Sequence, residues 1–193
     1  MFRRILLLII LLIVAGGAAI GAIEPLLSLH FSKAMGLDTA EIGVRFMGMT
    51  AAYGGASYLA GLASDRWGEV LVCRAGGVML ALCFGGAALT ALLAPAMTFP
   101  VVPWMLAAGA AIGVFTAPTL GWLARVAGGE GRYGAAYALY NLVNSIGLIV
   151  GPLVAGAVAH LARWEVALAP FAVLSIVASL MARWAPAVGT TPP

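Results

Sequence analysis

Apolar residues run almost unbroken through six windows of the chain, roughly 5–31, 42–63, 70–93, 99–124, 133–159 and 166–184. Polar and helix-breaking residues collect between them, in "SKAMGLDTAE", "SDRWGE", "APAMTFPVVP", "ARVAGGEGRYG", "HLARWE" and a tail, "RWAPAVGTTPP". A helix needs about 20 apolar residues to cross a hydrocarbon core of about 30 Å, and each window comes close to or exceeds that length. None alternates with the two-residue period of a barrel strand. The pattern predicts an all-α integral membrane protein: a single bundle of six transmembrane helices over 1–184, then a short polar tail, 185–193. The short connections predict that consecutive helices pack as antiparallel neighbours.

Composition agrees. The 193 residues are 63% hydrophobic and only 9% charged, with a mean hydropathy of +1.07, whereas a soluble domain carries about 25% charge. The charges sort by loop. With both termini cytoplasmic, Arg3, Arg4, Arg66, Arg74, Arg125, Arg132 and Arg183 fall inside, and Lys33, Arg45 and Arg163 outside, as basic loops retained in the cytoplasm require. The net charge of +3 is therefore a topology signal and not a nucleic-acid footprint. The expected location is the inner (cytoplasmic) membrane, multi-pass. The start, "MFRRILLLIILLIVAGGAAIGA", imitates a secretory signal, but its apolar run continues through "IEPLLSLHF". Cys73 and Cys83 share the third window, about 15 Å apart at 1.5 Å per residue. They are read as small apolar packing residues, and no Cys or His spacing suggests a metal site.

The uncharged third loop divides the helices into two sets of three. The first helix of each set is punctuated alike, by Gly16, Gly17, Gly21 and Glu24-Pro25 in one and by Gly109, Gly113 and Pro118 in the other. Interrupted helices at corresponding places mark the sites of repeat-built transporters, and both are expected to face an internal cavity.

Glu24 is the one acidic residue inside a span away from its ends. A carboxylate at mid-depth costs about 2.5–3.5 kcal/mol or more, so Glu24 is a candidate proton or cationic-substrate site; the alternative is an interfacial carboxylate near His30. On the fifth helix Tyr137, Tyr140, Asn141 and Asn144 recur at i, i+3, i+4 and i+7, which places four hydrogen-bonding side chains on one face. They either line a polar path or bond to another helix. Thr50, Tyr53 and Ser57 form a weaker stripe on the second helix. Further along the fifth, Gly147 and Gly151 make a GxxxG pair that permits close approach of backbones, followed by Pro152, with Ala155 and Gly156 expected to keep the same side small. In the second loop, Asp65 is available to cap a helix start.

"GLASDRWGE" resembles the G-x-x-x-D-(R/K)-x-G-(R/K) signature between the second and third helices of a half of the major facilitator superfamily. "GLIVGPLVAG" is similar to that superfamily's fifth-helix antiporter motif, and "GAIEPLLSLHF" resembles the seventh helix of vesicular monoamine transporters and drug/proton antiporters. The fourth helix lacks the basic start common in amino-terminal halves. The resemblance, over roughly residues 10 to 184, implies a carboxy-terminal six-helix half built of two three-helix repeats.

It also implies roles. Gly61, Asp65, Arg66 and Gly68 match the loop signature, a cytoplasmic gate whose Asp ties helix ends across the two halves. Gly147, Gly151, Pro152 and Gly156 match the packing motif that limits leak. Glu69 stands where the family usually has Arg or Lys, and Ala155 replaces the first of two glycines. The implied function is secondary active, proton-coupled transport of a small organic compound or drug, with no cofactor and with the bilayer, protons and a small-molecule substrate as partners; the direction stays open, the antiporter motif leaning toward efflux. Full-length members have two such halves, so the chain is expected to be a fragment, a shortened member, or a half-transporter that pairs with a second half as a homodimer or with a separate chain. The alternative from another class is a non-transporting membrane subunit or interaction protein. No nucleophile-and-base or metal constellation supports an enzyme.

Overall fold

The structure, a computed structural model, describes residues 2–94, 99–127 and 133–182. Arg132, Arg183 and the tail 185–193 lie outside the described residues. Six α-helices follow one another: α1 Phe2–Lys33, α2 Thr39–Trp67, α3 Glu69–Leu93, α4 Val101–Ala127, α5 Tyr133–Leu161 and α6 Ala169–Ala182, the last preceded by a one-turn 3-10 helix, Val166–Leu168. Pro25, Pro118 and Pro152 lie within α1, α4 and α5. The expected interruptions are therefore absent as breaks: each proline removes one backbone donor, which a continuous helix in a packed bundle tolerates.

Among the described residues four helices are long and apolar enough to cross a membrane: Ile5–Lys33, Glu69–Leu93, Val101–Val126 and Tyr133–Leu161. Val166–Ala182 is a shorter apolar segment. α2 departs from the sequence expectation. It has 29 residues, ample length at 1.5 Å each, but Gly48, Thr50, Tyr53, Gly54, Gly55, Ser57 and Gly61 dilute its apolar character, and only Met49, Ala60 and Ser64 are buried.

Helix ends are chemically defined. α2 begins with a capping box: the Glu41 amide donates to Asp38 Oδ1 at 2.8 Å and the Asp38 amide to Glu41 Oε2 at 3.0 Å, satisfying two orphan donors reciprocally. α2 passes to α3 through Gly68 alone, at φ 84° and ψ 149°, a conformation that side chains strongly disfavour.

Sequence neighbours are not always packing neighbours. α1 lies against α5 and α2 against α4, while α3 packs on both α4 and α6; α1 and α2 scarcely touch. Small residues select these pairs, because in lipid the closeness of backbones, not the hydrophobic effect, decides which helices meet. A Cβ on Gly17 would lie 2.6 Å from the Asn144 carbonyl, and one on Gly21 2.7 Å from that of Leu148. From the other side, a Cβ on Gly147 would lie 2.5 Å from the Val14 carbonyl, and Gly151 rests on the Ala18 carbonyl. The register rises together on both helices, so α1 and α5 run parallel.

The second crossing repeats the first. Gly109 and Gly113 of α4 lie against the backbone of Met49 and Tyr53 on α2, where a Cβ would fall 2.6 and 2.5 Å from the respective carbonyl oxygens. Again the helices are parallel, and the first helix of one triplet meets the second helix of the other. Gly16 faces Thr116 and Phe115, joining α1 to α4. The interruption glycines thus face neighbouring helices, not the internal cavity expected of them. The core beside them includes Ile9, Leu12, Ile23 and Leu27 of α1, Leu80 of α3 and Phe115 of α4, all at 0% exposure.

Two ends can be told apart. At one, Glu69 of α3 forms an ion pair with Arg125 of α4. At the other, Trp164 stacks near His30, Phe99 and Trp104 with ring centroids 5.0–5.9 Å apart, and the Trp104 indole donates to the Cys83 carbonyl at 2.8 Å.

Candidate functional site

Where α2, α4 and α5 approach one another, hydroxyl groups from all three helices converge inside a mainly apolar bundle. Tyr53 of α2 lies 3.5 Å from the Thr116 hydroxyl of α4. Thr116 donates to the Ile112 carbonyl at 2.9 Å, and Thr119 to that of Thr116 at 2.6 Å. Both threonines are buried. Tyr140 of α5 is turned toward Thr119 and lies within electrostatic reach of Tyr53. Ser57 Oγ is buried without a hydrogen-bond partner, beside Gly113. Buried polar atoms are normally satisfied, which makes Ser57 an open hydrogen-bonding position in this cluster.

The α5 stripe divides across this junction. Tyr140 and Asn144 are half-buried, with the Asn144 side chain over Gly17 of α1, while Tyr137 and Asn141 are exposed. On α2, Tyr53 and Ser57 point into the junction and Thr50 is exposed. Thr116 and Thr119 were not singled out by sequence reasoning. The legible signal was "FTAPT", two threonines flanking a helix-interior proline.

Glu24 sits apart from this cluster. It is exposed, as is Pro25, in a helix otherwise largely buried. Gly17 and Glu24 are seven residues apart, about 10 Å along α1, so Glu24 is displaced toward the aromatic end of the bundle. Sequence reasoning also missed Glu165, a carboxylate 2% exposed that pairs with Arg163 at 2.7 Å. That hydrogen bond, and then the charge, raises the Arg163 guanidinium above its ordinary value.

At the opposite end the loop signature takes a different form from the one expected. α2 continues to Trp67, so Asp65 and Arg66 belong to its last turn and not to a loop. Asp65 does not cap α3: the residue at that position is Gly68, which makes no side-chain cap. Asp65 and Arg66 are both exposed, and Gly61 has open space around it. Glu69 has the sign opposite to the family's usual residue, and Arg125 supplies the complementary charge within the same chain. This pair ties α3 to α4, with the carboxylate side chain 14% and the guanidinium side chain 53% exposed.

The fifth-helix motif also divides. Gly147, Gly151 and Ala155, four residues apart, are buried against α1, and Pro152 borders Gly21. Gly156 points elsewhere, with no atom within 4 Å of a Cβ placed there. Adjacent helical positions differ by about 100°, so Ala155 and Gly156 cannot keep one side small together.

Six helices, four of them of membrane-crossing length and apolarity, with polar groups gathered at an interior junction, define a multi-pass membrane protein. The model of the Major Facilitator Superfamily matches residues 6–193, nearly the whole chain, and the protein belongs to that family. It is accordingly a membrane transporter of the major facilitator type, a family whose members are generally transporters and not enzymes. Comparison with curated proteins gives no match.

Proposed function

We propose that the chain is a proton-coupled secondary transporter of a small organic compound, a cationic or amphipathic drug being the favoured class, and that it works as one six-helix half of a two-half assembly. Its path runs along the exposed face of α5 beside the junction of Tyr53, Ser57, Thr116, Thr119 and Tyr140. The observation that carries this reading is the polarity of the uncovered surface. Tyr137 and Asn141 on α5, Thr50 on α2 and Glu24 on α1 are exposed from the bundle, and α1 and α5 are otherwise apolar enough to cross a membrane. Hydrocarbon would penalise each of them, Glu24 most, whereas water or a second half would not.

In this reading Glu24 gains and loses the coupled proton, and Tyr137, Tyr140, Asn141 and Asn144 contribute hydrogen bonds to the substrate path. Gly61, Asp65, Arg66 and Gly68 form the cytoplasmic gate, with Asp65 exposed and available to a helix end of the other half. The two glycine crossings, α1 on α5 and α4 on α2, support a construction from two inverted three-helix repeats. Both termini lie in the cytoplasm, and the membrane is the cell's inner membrane.

A second reading has its own support. Gly43, Gly54, Gly55 and Gly61 on α2 meet nothing within 4 Å, and bare glycines on a membrane helix suit contact with another helix. A non-transporting subunit would use α2 and α5 in that way. Cysteine accessibility separates the two. With Cys73 and Cys83 replaced by Ala, Asn141→Cys in membranes is expected to react with a charged maleimide, while Leu82→Cys on α3 stays unreactive. Protection of Asn141→Cys equal to that of Leu82→Cys would favour the subunit.

A further inference from the structure

A second surface lies on the far side of the bundle, where α3 packs antiparallel to α6. Gly77 closes on Ser179, and Gly85 on Ala172, so α3 and α6 draw together and leave a shallow groove along their outer seam. The groove has a volume of about 450 Å³ and is lined by Leu71, Ala75 and Val78 of α3, Ile176 and Leu180 of α6, and one cation, Arg74. Ser179 also borders it, but its hydroxyl donates to the Ser175 carbonyl at 2.7 Å, which leaves the walls effectively apolar.

Arg74 sits five residues into α3, about 7.5 Å from its start, at the end of the bundle that carries Arg66 and Arg125. Among the described residues the ion pairs are Arg125–Glu69 and Arg163–Glu165, and Arg74 belongs to neither. A guanidinium at this depth in a membrane helix needs an anion or a path to water. Below it, toward the middle of the span, Val78 and Leu82 are exposed and apolar. A cation at the headgroup level above an apolar trough complements the charge and polarity of an anionic phospholipid.

We propose that this groove is a phospholipid site, with the phosphate of an anionic headgroup on Arg74 and one acyl chain between α3 and α6. The occupant comes from the surrounding bilayer, and the chemistry is that of basic pockets between membrane helices. Such a lipid would bridge α3 and α6 on a face remote from the α2–α4–α5 junction. The site is therefore independent of the transport path.

Native mass spectrometry of the purified protein, titrated with an equal mixture of phosphatidylglycerol and phosphatidylcholine, tests the proposal. The wild type should retain phosphatidylglycerol several-fold more than phosphatidylcholine. Arg74→Gln should bring that ratio near one, Arg74→Lys should keep most of it, and Arg3→Gln, a change to an exposed arginine outside the groove, should leave it unaltered. Ala75→Trp, at an exposed position, keeps the cation but fills the trough and should reduce both adducts. An unchanged ratio in Arg74→Gln, an equal loss in Arg3→Gln, or undiminished adducts in Ala75→Trp would overturn the site.

Discussion

Alanine at Gly147 and alanine at Gly156 should have opposite consequences, although both glycines belong to one sequence motif. At Gly147 the new Cβ would sit 2.5 Å from the Val14 carbonyl oxygen and 2.8 Å from the Ala18 amide nitrogen. Ordinary contact begins near 3.4 Å, so α1 and α5 must separate by up to about 0.9 Å at that point. The neighbours are backbone atoms, which cannot rotate aside, and overpacking of this kind costs about 1–3 kcal/mol. At Gly156 nothing lies within 4 Å. Both substitutions gain the same helix propensity, up to about 1 kcal/mol, so the gain cancels in the comparison and the packing cost remains. For a chain of this size 1 kcal/mol moves the midpoint by about 2–4 °C, and the two variants should differ by about 2–12 °C, with Gly147→Ala the less stable. Thermal denaturation in detergent, followed by size-exclusion fluorescence, measures it. Midpoints within about 1 °C of each other would refute the α1–α5 crossing.

Four further outcomes are expected. Gly68→Ala should destabilise by about 1–3 kcal/mol because its φ of 84° strains any side chain, while Gly61→Ala, with open space around it, should not; the same melting assay compares them. Neutralising Glu69 or Arg125 should each weaken the α3–α4 tie, by about 0.5–1 kcal/mol once the exposure of Arg125 is allowed for; the exchange of the two charges should recover most of the loss, and a double-mutant cycle without coupling would argue against the pair. Asp38→Ala should cost about 1 kcal/mol through loss of the α2 cap, read from helicity and melting. Thr119→Val should disturb transport more than stability if Tyr140 and Thr119 lie on the path, which uptake and melting of one preparation resolve.

The all-helical architecture was visible because lipid demands long apolar windows, and each window falls on one helix, although among the described residues only four of those helices are long and apolar enough to cross a membrane. The starts and stops were less legible. α2 extends to Trp67 because "ASDRW" contains no helix breaker before Gly68, and it starts at a capping box, "DTAE", whose signal stood in the sequence unused. Which helices meet could not be read from loop length, since the choice is made by where glycines approach a carbonyl, as Gly17 does at Asn144 and Gly109 at Met49. The fifth-helix polar stripe was legible from its spacing, yet its division into half-buried Tyr140 and exposed Asn141 depends on where α4 lies. Thr116 and Thr119 were missed because threonines bonded to their own helix look ordinary in sequence. Glu69 was recognisable as a departure from the family pattern, while its compensation by Arg125, 56 positions away, required the fold.

The central claim is that exposed Glu24 carries the proton of a coupled exchange. Proteoliposomes holding the purified protein, with ethidium as the cationic probe, should move the dye against its gradient only when a pH difference is imposed. Glu24→Gln should abolish that dependence while leaving the melting midpoint unchanged. Dye movement in the wild type no faster than in protein-free vesicles, or a Glu24→Gln variant that keeps the full pH dependence, would contradict it.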